Sequence, residues 1–398
     1  MTKRIRLLTM LLGTGLAACG TADAIHSQTS NTSTSIQSPK GGRTDNSVSS
    51  VNATGGTINS ILLSGSDPQN PQNEWVLGSS GLAVTRNAGK QWLKLSPPII
   101  PSDVNDVSVL PNETIILAGN GSQSLSISTL VQGQSTWSNR VIPMQGGQQV
   151  GSSKIVDANG MPIGVMVTLQ SSSNFSSGVW ISTPDGGSTW QTHNAPVGGT
   201  VTSTGGELWL VGGVLNSSLY QSSNNGATWN AVTLALPPPT GQTYALGSVF
   251  STGTGTSAIM TATIGSSSGL NNSSTVVLNG NQSGSQWTWT RTPAITSNGS
   301  YGSGAVPTTA YANGTLWILT PSQLARVNIS TSQVSIVSPD GLPAATTLTL
   351  NAINSQSAWI SYSAESCSAT KGNCVSDQGL SITKDGGQVW SRYPNPLV

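Results

Sequence analysis

Few side chains in this chain could do chemistry, and their types and spacing narrow what that chemistry would be. Hydrolysis of a glycosidic bond needs two carboxyl groups about 5 to 10 Å apart. The acids falling between apolar segments are Asp103, Asp106, Asp340, Glu365 and Asp377. Asp103 and Asp106 are expected in one loop, and with Asp340 they form the candidate catalytic set. Binding a substrate carboxylate would call for clustered arginines. Arg43, Arg86, Arg140, Arg291, Arg326 and Arg392 are instead dispersed, the last four on expected third or fourth strands. His193 has no nucleophile-elbow string beside it, and no Gly-rich phosphate loop occurs. Neither His26 nor His193 supplies a second ligand pair for Cys367 and Cys374, so neither a metal nor a cofactor is expected.

The elements that must position these residues read as all-β. Alternating apolar segments bounded by Gly, Asn, Pro and Ser recur throughout, with no sustained helical spacing. Four strings, TRNAGKQW, TPDGGSTW, SSNNGATW and TKDGGQVW, share the pattern S/T-x-D/N-x-G-x-x-W. Their positions are Thr85, Asn87, Gly89, Trp92; Thr183, Asp185, Gly187, Trp190; Ser222, Asn224, Gly226, Trp229; and Thr383, Asp385, Gly387, Trp390. The hydroxyl and the Asp or Asn oxygen can accept turn N–H groups, the Gly permits an unusual φ, and the Trp leaves the turn as an anchor. A second string, NEWVLG, TIILAG, ELWLVG, TLWILT and SAWISY, reads as a buried strand, twice entered through a Glu. Weaker copies of both strings, among them STW ending at Trp137 and SQW ending at Trp287 in the turn position, give seven repeats about 50 residues apart. The expected fold is a single seven-bladed β-propeller of four-stranded antiparallel blades, from near Thr57 to near Pro394. Six or eight blades are the alternatives, because the fifth and sixth repeats are degenerate. No strand is left over at either end, so intact first and last blades should close the ring face to face.

The four strings resemble the Asp-box, or BNR, repeat of sialidases, sortilin-type receptors, two-propeller xyloglucanases and photosystem II assembly factors. The resemblance implies a structural turn between third and fourth strands, on the face opposite the usual binding site. Asn in place of Asp in two copies should weaken the turn without changing the fold. The assembly-factor relatives imply a protein partner for the opposite loop face.

The N-terminus carries Lys3, Arg4 and Arg6, an apolar stretch, and then Leu16, Ala17, Ala18, Cys19. It resembles a bacterial lipoprotein signal with cleavage before Cys19 and acylation of that thiol. The expected organisation is a signal at 1–18, a Ser/Thr/Asn-rich tether at 19–55, and the propeller at 56–398. Removing three signal cations from the 15 Lys and Arg leaves 12 against 14 acids, a charge of −2. No basic patch supports nucleic-acid binding. So few titratable groups would change little in charge as pH falls, which points to an acid-exposed surface. In an exported chain, Cys367 and Cys374 are expected to form a local disulfide within a loop expected from Ser363 to Gln378.

The functional expectation is an extracytoplasmic, lipid-anchored binding or assembly module, at a cell surface or in a periplasm. Its partners would be the membrane, through the lipid, and a protein or surface glycan. The alternative is a glycan-binding protein or glycoside hydrolase using channel-mouth carboxylates.

Overall fold

The structure is a computed structural model. It describes residues 60–397 except 67–69, 71, 122, 159–160, 171–176, 205, 252–256, 267–268, 285, 294, 297–306, 321–322, 343–346 and 368–373. The expected signal, tether and Cys19 lie outside the described residues.

Seven antiparallel sheets follow one another along the chain, each a four-strand meander, and the fifth gains one extra short strand, Ile295–Thr296. Blades 1 to 7 span 61–95, 104–143, 150–195, 199–231, 242–291, 308–337 and 347–393. Their first strands touch in cyclic order, and the first strand of blade 7 touches that of blade 1. The protein is a seven-bladed β-propeller with the first strands around the central channel.

The second strands explain why the ring is stable. EWVLG of blade 1 and TLWIL of blade 6 are buried at every position. A blade's central strands have a neighbouring blade on each side, so both faces lie in apolar surroundings and alternation gives way to a continuous apolar run. Side chains still point alternately to the two neighbours. Leu208 packs with Met166 and Trp180 of blade 3, whereas Trp209 packs with Trp287 and Trp289 of blade 5.

Ring closure follows the sequence expectation. Blade 1 is drawn wholly from residues 61–95 and blade 7 from 347–393, with no exchanged strand. The seam between them holds an apolar cluster of Val76, Ala83, Trp359, Leu380 and Leu397, with Trp92 and Tyr393 against it. At the channel, Ser64 Oγ donates to Ser361 Oγ at 2.6 Å and meets Thr349 Oγ1 at 2.9 Å. The Ile61 N–H donates to Gln378 Oε1 at 3.1 Å.

Three local expectations change. Asp106 does not share a loop with Asp103: it lies on the first strand of blade 2, Val104–Val109. The segment 363–378 is not a loop but the distal half of a long hairpin, Ala358–Cys367 paired with Cys374–Thr383. The degenerate repeat ending at Trp287 is a tight hairpin in which Ser283 pairs with Gln286, and Trp287 is already on the fourth strand.

Candidate functional site

Antiparallel order assigns the connections to two faces. Turns between first and second and between third and fourth strands share one face; the second-to-third and blade-to-blade connections share the other.

The first face carries the four repeated turns. In each, the hydroxyl of Thr85, Thr183, Ser222 or Thr383 accepts the N–H of Gly89, Gly187, Gly226 or Gly387, at 3.0, 2.6, 2.9 and 3.0 Å. The same hydroxyl donates to the Asp or Asn oxygen two residues on, at 3.0 Å for Asn87 and 2.8 Å for Asp385. That oxygen also accepts an N–H four residues further on, from Gln91, Thr189, Thr228 or Val389. The Asn turns thus reproduce the Asp geometry. The Asp185 carboxyl is held below its ordinary pKa chiefly by the Thr189 N–H, and the Asp385 carboxyl by that of Val389. Glycine is required sterically as well as by φ: Gly226 has φ +80°, and a Cβ there would collide with the Trp180 indole of the preceding blade. The turns therefore fasten neighbouring blades, and these residues are occupied by structure.

The opposite face is more varied. It bears the three 3₁₀ turns, Pro101–Asp103, Gln145–Gly147 and Val214–Asn216. Between blades 4 and 5 it opens into a cleft of about 330 Å³. Leu219, Val232, Leu234, Leu236, Pro237 and Pro238 line one side, and Thr243, Tyr244 and Leu246 of blade 5 the other. No charged side chain lines it. Tyr244 is buried, and its hydroxyl has no hydrogen-bond partner. Such a lining suits a neutral, largely apolar group carrying an acceptor or donor.

The channel wall holds the principal charge cluster among the described residues. Asp106 is 4% exposed; its Oδ1 receives Lys154 Nζ at 2.8 Å and its Oδ2 the Ile155 N–H at 2.8 Å. Both residues belong to the first strand of blade 3, Val150–Ala158. Farther along, Ser108 Oγ stands 3.5 Å from Asp157 Oδ2. Both oxygens of Asp106 are engaged, which leaves it as a brace between inner strands with the Lys154 ammonium turned to the channel.

The structure does not bring the catalytic candidates together. Asp103 is exposed on a 3₁₀ turn between blades 1 and 2. Asp340 is exposed beside blade 7's repeated turn, where its N–H donates to Gln388 O at 2.8 Å and its carbonyl accepts the Trp390 N–H at 2.9 Å. It therefore lies by the outer edge of blade 7 rather than at the channel mouth. The side chains of Glu365 and Asp377, on the blade 7 hairpin, lie outside the described residues. The dispersed arginines behave as expected, with no arginine on any first strand. Cys367 and Cys374 are set directly opposite each other as the last pair of their hairpin, although their side chains lie outside the described residues. No group of three or more His, Cys, Asp or Glu that could hold a metal occurs among the described residues.

Sequence reasoning missed the blade 4–5 cleft, whose walls come from different repeats, and it missed Glu74. That residue is 5% exposed at the start of an apolar strand, and burial pushes its carboxyl up to about 7. The signal was present in NEWVLG: the Glu directly precedes the Trp, where ELWLVG has Leu208 and TLWILT has Leu316.

Among solved structures, the chain is similar to a streptogramin B lyase, 15% identical with a TM-score of 0.49 over 76% of this chain and 90% of that one. It is similar to virginiamycin B lyase from Staphylococcus aureus, 13% identical with a TM-score of 0.47 over 82% of this chain and 94% of that one. A polysaccharide lyase acting on ulvan is 10% identical, with a TM-score of 0.47 over 84% and 96%. These are likenesses of fold alone. No protein-family model and no curated protein matches the chain.

Proposed function

We propose that the protein is a lipid-anchored, extracytoplasmic propeller that binds a partner through its second-to-third and blade-to-blade face and performs no chemistry of its own there. The observation carrying this reading is the division of labour between the faces. One is consumed by inter-blade turns, while the other holds an uncharged cleft, three 3₁₀ turns and the cysteine hairpin. The four turns are read as Asp-box repeats on their residue pattern and their hydrogen bonds. Cys19 is read as the acylated residue, residues 1–18 as a signal and 19–55 as a tether. Cys367 and Cys374 are read as a disulfide, favoured by their direct opposition across the hairpin. It would fix the shape of a hairpin tip on the binding face.

The test is cross-linking in the native envelope with tagged protein, analysed by mass spectrometry beside Cys19→Ala. A stoichiometric protein lost after Leu236→Asp in the cleft supports the reading. Capture unchanged by that substitution places the contact elsewhere on the ring and refutes the cleft. Glycan-array binding or turnover of a fluorogenic glycoside, abolished by Asp103→Asn, would establish the carboxylate-dependent alternative instead.

A further inference from the structure

The seam that closes the ring contains a carboxyl in a seat where other blades place hydrocarbon. Glu74 begins the second strand of blade 1, Glu74–Gly78. The corresponding residues of blades 2, 4, 6 and 7 are Ile115, Leu208, Leu316 and Ala358, each buried against the preceding blade. Glu74 faces blade 7 across a cavity of about 10 Å³ lined by Ala88, Trp92, Trp359, Leu380, Ile382 and Tyr393. That volume is roughly the minimum for one water molecule, far short of what hydrates a carboxylate.

Among the described residues, no charged side chain other than Glu74 lines that cavity. Tyr393 is the ionisable group among the lining residues, and its hydroxyl is used, donating to Gly89 O at 2.7 Å. Lys90, Lys94, Lys384, Asp385 and Arg392, on the turns and strands packed here, are all exposed. Ser66 and Thr85, the cross-strand neighbours of Glu74, are neutral.

We propose that Glu74 is an acid-closed latch on the ring: protonated, it lets the first and last blades pack as a dry apolar seam, and ionised, it drives that seam apart. Location gives the latch its leverage, because blades 1 and 7 share no strand and the seam is held by side-chain packing and a few hydrogen bonds. Each other junction is also crossed by the chain itself.

The sign follows from burial. The ordinary value is 4.5 and the folded value is raised to about 7. The stabilising contribution is therefore fully present below pH 4.5 and is lost as pH rises through 7. The propeller is tighter in acid.

Unfolding of the full-length chain, followed from pH 5 to pH 8.5 beside Glu74→Gln and Glu74→Leu, tests this. The wild type should lose a factor on the order of a hundred in its folding equilibrium between pH 5 and pH 8. Both variants should lose most of that slope, and Glu74→Leu should exceed the wild type at pH 8. Hydrogen exchange, corrected for intrinsic rates, should show the extra opening at pH 8 in Ile61–Ser66, Glu74–Gly78 and Ala358–Cys367, but not in Glu207–Gly212 of blade 4. A Glu74→Gln curve parallel to wild type, or protection lost equally in blades 1 and 4, would overturn the latch.

Discussion

The junction of blades 6 and 7 and the junction of blades 7 and 1 use the same parts to different effect. In the first, the second-strand Trp317 is wholly buried, donates its indole N–H to Asn354 O at 3.1 Å, and lies under the Arg326 guanidinium, 5.6 Å from the ring centroid. Arg326 also donates to Ser355 O at 3.1 Å. In the second, the equivalent Trp359 is buried, but its indole N–H has no partner, and the facing seat holds Glu74 instead of hydrocarbon. A repeated element thus fixes where blades meet, and local substitutions decide how tightly. The closing junction lacks chain connection and carries an unpaired donor and a buried acid, so it is the place where this ring should open.

Breaking that contrast has graded consequences. Trp317→Ala removes a fully packed side chain and should cost about 3–5 kcal/mol by denaturant unfolding. Gly226→Ala forces a Cβ into Trp180 at a positive φ, and should cost about 1–3 kcal/mol with loss of exchange protection centred on blades 3 and 4. Phe substitution isolates the indole hydrogen bond. Trp317→Phe should cost about 1 kcal/mol more than Trp359→Phe, because only the former strands a bonded carbonyl; equal losses would remove the distinction between the junctions. The smallest effect concerns the exposed turns. With their carboxyls held below the ordinary value, Asp185 and Asp385 contribute stability present above pH 3.8 and lost as pH falls through the lowered folded values. Asp185→Asn should flatten that part of an acid melt and leave the fold unchanged, as the native Asn87 and Asn224 turns already imply.

These tests also sharpen the pH behaviour of the whole ring. Glu74 strengthens the closing junction as pH falls from 7 to 4.5, whereas the two Asp turns weaken only below 3.8. Between those limits the propeller should be at its most stable. The low content of titratable groups points to an acid-exposed surface, and a seam that tightens as pH falls is consistent with that expectation.

Much of the fold was legible because its determinants are local. The turn strings contain their own acceptors, donors and permissive glycine within eight residues, so each hairpin could be placed before its partners were known. The apolar second strands gave the blade period, and the complete four-strand units read for the first and last blades gave the mode of closure. Asp106 was misplaced because the loop before it ends two residues sooner than its polar composition implied. Asp340 was misplaced because its parallel bridge to Val389 joins the connection before blade 7 to that blade's own turn, 49 positions away.

Sequence by itself determined an all-β chain, its repeated turns, its blades and their order, because alternation and turn chemistry act over a few neighbouring residues. Tertiary structure decided which carboxyls meet water, which blade each strand face meets, and where a cleft opens. Those properties depend on the ring bringing distant repeats into contact. The one-residue difference between Glu74 beside its Trp and Glu207 one place farther away shows how sharply. It sends the first carboxyl into the closing seam, while the second remains partly exposed and accepts a hydrogen bond from Gln221.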